Sequence, residues 1–286
     1  MGQDLAERSR CGEHPGASVR AVLEEPDVLE EIHKDYLSVG VDVITLNTYA
    51  ATRWRMNRAG LADAHGEANR NALSSAVRAR DAVNPGALVA ACLPPLRSPF
   101  RADLVPETAI LEAEYAEHAL VVADGVDLFV CETMSLGREA RAAATVAKST
   151  GKPVFVSFTL RDVGPPRLRS GESLAQAVRL LDGIGVDGVM VNCSAPEPYG
   201  AAVVELEALM TPKPVGAYAN GFRMIPRDWD LRNGFDALEV REDLTPDAYA
   251  DHAKTWLDAG ATIIGGCCHV GVAHMARLKE MRETLS

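Results

Sequence analysis

Long apolar runs are missing from this 286-residue chain. VDVITL and GATIIGG each fall well short of the roughly 20 apolar residues that a helical membrane span requires. The first residues, MGQDLAERSRCGEHPG, are polar and mixed in charge and do not read as a secretory signal. Positive charge is also scarce. Lys and Arg number 29 against 40 Asp and Glu, a formal net charge of −11, so neither nucleic acid nor an anionic membrane is expected as a partner. The six cysteines have no regular spacing, and in a chain of this size they fit reduced thiols in a cytoplasm better than a disulfide framework. No low-complexity stretch or linker divides the sequence, so residues 1–286 read as one domain.

What is present is a large stock of core. Hydrophobic residues make up 47% and charged ones 24%, a balance and length normal for a single α/β barrel. Short runs rich in Val and Ile recur at Val41–Leu46, Ala87–Cys92, Val126–Cys131, Pro153–Phe158, Val186–Val191, Pro214–Ala217 and Ala261–Ile264. Buried parallel strands read this way because both of their faces are covered. Amphipathic spacing predicts helices between and after them, at 26–39, 64–82, 106–123, 136–149, 173–183, 197–210, 246–259 and 271–284. Pro26-Asp27 and Thr245-Pro246-Asp247 are good helix starts. Alternation of this kind implies βαβ units, a parallel sheet and a (β/α)8 TIM-type barrel. The count is one strand short, because the chain opens on a segment leading into a helix.

Three cysteines stand at the ends of apolar runs: Cys193 closes GVMVNC, and Cys267 and Cys268 follow two glycines in ATIIGGCCHV. Neighbouring side chains in a regular strand point to opposite faces, so both can reach one ion only where the pleat breaks. Gly265 and Gly266 are expected to allow that break. Three thiolates on one zinc leave a fourth position open, as in catalytic sites. A closed structural site would need His269 or His274 as a fourth ligand. His269 would strain the geometry by following Cys268 directly. For Cys11 and Cys92 the expectation is a small, buried apolar side chain.

The NC and GGCC pattern resembles the zinc-dependent homocysteine S-methyltransferase family, in which it supplies three zinc thiolates. VDVITLNTYAAT at 41–52, CETM at 131–134, PVFVSFTL at 153–160, SGESL at 170–174 and VGAYANG at 215–221 agree in order, so the likeness covers essentially the whole chain. The resemblance implies zinc on Cys193, Cys267 and Cys268. It also implies that Glu132 meets the substrate's amino group, with Asn47 and Asn192 as further substrate-binding candidates. Tyr49 either lines a donor pocket or merely packs there, and a salt bridge is the alternative role for Glu132. In the family the first strand ends in an Asp-Gly-Gly turn, and Gly2 falls where that first loop offers backbone amides to the substrate carboxylate. On this reading Met1 is an internal methionine and the first strand lies upstream. The alternatives are a member that never had it, or a strand that the pattern conceals.

The function implied is methyl transfer from a sulfonium or quaternary ammonium donor to homocysteine, giving methionine. A metal-bound thiol is deprotonated outright, so no general base need be sought. The partners are then small molecules, with an oligomer left open. Nothing selects among S-methylmethionine, S-adenosylmethionine and betaine as donor. Methylation of another small thiol or selenol is the nearest alternative, and a non-catalytic thiol-binding or redox-switch barrel is the more distant one.

Overall fold

Each buried strand is a short apolar run followed by a helix that covers it. The computed structural model describes residues 2–11, 16–230 and 237–285. Its seven strands are β1 (Val43–Thr45), β2 (Leu88–Leu93), β3 (Leu128–Met134), β4 (Val154–Phe158), β5 (Gly188–Asn192), β6 (Val215–Tyr218) and β7 (Ile263–Ile264). They pair in parallel, each with its neighbours in chain order. Every residue of β5 is buried, as expected where sheet and helices cover both faces.

The helices predicted from periodicity are α3 (Pro26–Ser38), α5 (His65–Val83), α6 (Thr108–Val122), α7 (Gly137–Ser149), α8 (Leu174–Arg179), α9 (Tyr199–Met210), α10 (Pro246–Asp258) and α11 (Val272–Leu285). Local chemistry sets their starts. Thr245 caps α10 by accepting from the Ala248 amide, with Pro246 in the first turn. Ser173 and Gln176 form a reciprocal capping box on α8. That helix stops at Arg179, short of the expected 183, and Gly183 and Gly185 beyond it both take positive φ. Three further helices lie outside the predicted set: α1 (Gly2–Arg8), α2 (Ala17–Glu24) and α4 (Arg53–Arg58).

The sheet is open on one side. Among the described residues β1 pairs only with β2, and β7 only with β6. Residues 2–8 and 17–24 are helical, so within them no strand fills the seam. Outside the sheet the ring of helices does meet: α11 packs on α3, and Arg282 pairs with Asp42 just before β1. Close approach at the other edge depends on Gly216, where a Cβ would lie 2.7 Å from the Ile263 side chain and carbonyl. Among the described residues no helix is long and apolar enough to cross a membrane.

Candidate metal centre and substrate pocket

The carboxyl ends of the parallel strands gather the chemistry, as barrel architecture dictates. Cys193 follows β5 directly, and Cys267 and Cys268 lie just beyond β7. The sulfurs of Cys193, Cys267 and Cys268 all lie within 4.8 Å of one another, and those of Cys193 and Cys268 are 3.9 Å apart.

Backbone geometry brings them together. Cys193 holds a left-handed φ of 53° and His269 one of 57°, conformations that cost a non-glycine residue energy and concentrate at functional sites. The Cys193 amide donates to the Tyr218 carbonyl at 3.2 Å, and the Cys267 amide to the Ala219 carbonyl at 3.0 Å. From α10 the Tyr249 hydroxyl takes the Ala219 amide at 2.9 Å and donates to the Gly265 carbonyl at 2.7 Å. The two glycines stand where the chain leaves β7, as expected. Neither Gly265 nor Gly266 takes a left-handed φ, and at Gly266 a Cβ would lie 2.4 Å from Val270 and 2.8 Å from Met275. Gly266 therefore provides room rather than a special dihedral.

The thiols are electrostatically unequal. Hydrogen bonds from Cys193 and Cys267 draw the Cys268 thiol well below its ordinary pKa, against its burial, and the Gln3 side chain adds another. Asn220 and Asn192 point amide groups at the sulfurs of Cys193 and Cys267, at 3.9 and 4.0 Å. Phe100, Phe222, Ile225, Trp229 and Leu238 pack around the trio as an apolar cover. Neither histidine joins the cluster among the described residues. His274 accepts the Gly271 amide through Nδ1 at 3.3 Å and lies 3.0 Å from the Leu244 carbonyl through Nε2. The His269 ring packs edge-on against Phe222, 4.9 Å between centroids. That leaves a three-thiol group suited to zinc with an open position.

Glu132 lies on β3 inside the mouth. Its two oxygens accept from the Tyr218 hydroxyl at 3.1 Å and the Cys92 thiol at 3.3 Å. Burial raises its pKa, and these two hydrogen bonds oppose the rise. Asn192 is fully buried. Its amide oxygen accepts from the Thr133 amide at 3.0 Å and from Ser157 at 2.7 Å, while its nitrogen donates to the Thr133 hydroxyl at 2.9 Å. It ties the ends of β3, β4 and β5 together. Asn47, just past β1, is buried with no partner for its side-chain nitrogen. Tyr49 carries the Arg55 guanidinium over its ring, 4.8 Å from the centroid. Gly2 opens α1 and is exposed, while its neighbour Gln3 reaches Cys268.

The model of the family described as Homocysteine S-methyltransferase matches residues 1–282. The chain belongs to the homocysteine S-methyltransferase family. It is 30% identical over 281 residues to the homocysteine S-methyltransferase of Escherichia coli, covering 92% of this chain and 86% of that one. The selenocysteine methyltransferase of Astragalus bisulcatus is 23% identical, covering 94% of this chain and 86% of that relative. The metallated form of the homocysteine methyltransferase MmuM from Escherichia coli superposes with a TM-score of 0.81 at 28% identity, covering 98% of this chain and 93% of that one.

Within this family frame, several residues at the site carry no signal that the sequence reading used. Tyr218 and Asn220 sit in the quoted AYANG stretch at the end of β6, where strand-end position alone would have nominated them. Cys92 reads as core by composition, and only the pairing of β2 with β3 brings it to Glu132. Asp162 is nearly fully buried. It binds Arg169 through both oxygens at 2.9 Å and accepts the amides of Ala195 at 3.0 Å and Ile225 at 2.9 Å.

Proposed function

We propose that this enzyme moves a methyl group from a sulfonium or quaternary ammonium donor to the sulfur of homocysteine, giving methionine, with zinc held by Cys193, Cys267 and Cys268. The observation that carries the reading is the convergence of the three sulfurs within 4.8 Å at the barrel mouth. Bound there, zinc supplies an open coordination position and the acidity that strips a thiol of its proton.

The chain's own residues do the rest. Three thiolates make the local charge negative, which favours a cationic donor. Glu132, a half-buried carboxylate, takes the substrate ammonium and so sets where the acceptor sulfur falls. Asn47 offers its unpartnered amide to the bound amino acid. Phe100 and Trp229, packed 5.3 Å apart over the thiols, keep water from the developing bond. In the transfer a sulfur–carbon bond forms as the donor's methyl bond breaks. Its electron pair stays with the donor, which leaves neutral, and the thiol proton goes to solvent. The 23% identity to a selenocysteine methyltransferase over 94% of the chain favours one second reading, a selenol as an alternative acceptor.

The test uses purified, zinc-loaded protein with homocysteine and S-methylmethionine, S-adenosylmethionine or betaine in separate reactions, with methionine as the product measured. About one zinc per chain and methionine from at least one donor is the expected result. Protein that retains no zinc and forms no methionine from any of the three would sink the proposal.

A further inference from the structure

The carboxylate of Glu132 is held by two donors, one of which, Cys92, reads as core in the sequence. Tyr218 on β6 reaches one oxygen with its hydroxyl at 3.1 Å, and Cys92 on β2 reaches the other with its thiol at 3.3 Å. These residues belong to strands on different sides of β3 in the sheet order. The carboxylate is therefore gripped from across the barrel as well as from the adjacent strand.

We infer that Tyr218 and Cys92 are positioning residues for the acceptor: together they fix the Glu132 carboxylate in the orientation that receives the substrate ammonium. The inference rests on the role proposed above for Glu132.

Three physical points support it. First, a glutamate has rotatable bonds to spare, and a carboxylate left free would surrender part of its binding energy to being ordered when substrate arrives. One donor on each oxygen fixes the plane of the group in advance, and each oxygen keeps lone-pair capacity for an ammonium hydrogen. Second, the buried Cys92 thiol keeps its proton: burial first, and then the charge of Glu132, push it well above its ordinary pKa. Cys92 is thus a donor here and not a nucleophile. Third, burial pushes the Glu132 carboxyl toward its neutral form and the nearby Cys268 adds to the push, while the hydrogen bonds from Cys92 and Tyr218 oppose it.

The experiment compares Tyr218→Phe, Cys92→Ala, Cys92→Ser and Glu132→Gln, each zinc-loaded. Acceptors are homocysteine and its des-amino analogue, a mercaptobutanoate that has the thiol and carboxylate but no ammonium. Losing a hydrogen bond to a charged group is worth roughly tenfold or more in affinity. Tyr218→Phe and Cys92→Ala are expected to raise KM for homocysteine about tenfold while kcat changes far less. Cys92→Ser, which keeps a donor, restores most of the loss. None of them alters KM for the des-amino acceptor or the zinc content.

A purely structural role would weaken both acceptors alike, and that result overturns the inference. So does an unchanged KM for homocysteine in both Tyr218→Phe and Cys92→Ala while Glu132→Gln raises it. If Glu132→Gln itself leaves homocysteine binding untouched, the earlier reading of Glu132 fails, and this inference falls with it.

Discussion

Cys193, Cys267 and Cys268 combine strand-end position with mutual contact, and each is expected to be indispensable to the metal. Replacing any one by serine should remove most bound zinc and all methyl transfer, as read by metal analysis and methionine formation. Cys11→Ser should do neither, since that thiol is buried against Glu25, away from the trio. Full zinc occupancy with normal turnover in Cys267→Ser would contradict the assignment. Glu132→Gln should leave zinc in place and weaken homocysteine binding by roughly ten- to a hundredfold, the value of a charge-assisted contact of ~1.5–3 kcal/mol. At this scale the sequence was informative where chemistry announces itself. Adjacent cysteines behind two glycines are rare enough to notice, whereas Tyr218 and Cys92 are ordinary residues whose shared partner, Glu132, lies 86 and 40 positions away. Their importance is made by strand pairing, which no local pattern encodes.

Between elements, the Asp162–Arg169 pair staples the loops that follow β4, β5 and β6. The Arg169 guanidinium also lies 5.0 Å from the centre of the Phe100 ring, so the same pair supports the apolar cover. Asp162→Asn should lower zinc affinity about tenfold or more by loosening the loops that carry the thiols and their apolar cover, and should destabilise the fold by leaving a buried cation unpaired. Asp187 makes a fair control, because it holds the Val154 amide and Lys148 at the opposite end of the strands. Asp187→Asn should cost stability without touching zinc, and equal metal affinity in the two variants would refute the staple. Glu139 on α7 gives a pH prediction. It accepts from the Leu96 amide and the Tyr115 hydroxyl, but one oxygen has no partner, and burial pushes its pKa up to about 7. Its contribution to stability is therefore fully present below its unfolded value of 4.5 and is lost as pH rises through about 7. Glu139→Gln should gain on the parent protein by up to about 3 kcal/mol between pH 5 and pH 8. A constant difference in melting temperature across that range would remove Glu139 from the account. The elements themselves were legible because burial on one or both faces dictates period and length. Helices α1 and α4 were not, since α1 buries only Leu5 and α4 only Met56, and α2, which buries Val19, Ala21 and Val22, is short enough to escape a reading by periodicity.

For the whole molecule, a parallel sheet followed from the alternation of strands and helices, and the shortage of one strand was countable in the sequence. The count could not show how the remaining seven settle. The sheet has two edges, yet the helices outside it meet through α3 and α11. In mechanical terms this is a split ring inside a closed belt. Such a ring concentrates its give at the split, where the two-residue β7 has, among the described residues, a partner on one side alone. Amides of β1 and β7 should then exchange with deuterium well before those of β3 to β5, as hydrogen-exchange mass spectrometry would read. Uniform protection across all seven strands would contradict the picture. The metal ligands stand on unequal ground: Cys193 belongs to the stiff arc of the ring, and Cys267 and Cys268 belong to its loose end. Zinc joining residues 75 positions apart would act as a clasp, so metal loading should slow exchange at β7 while leaving β1, the other free end, as quick as before.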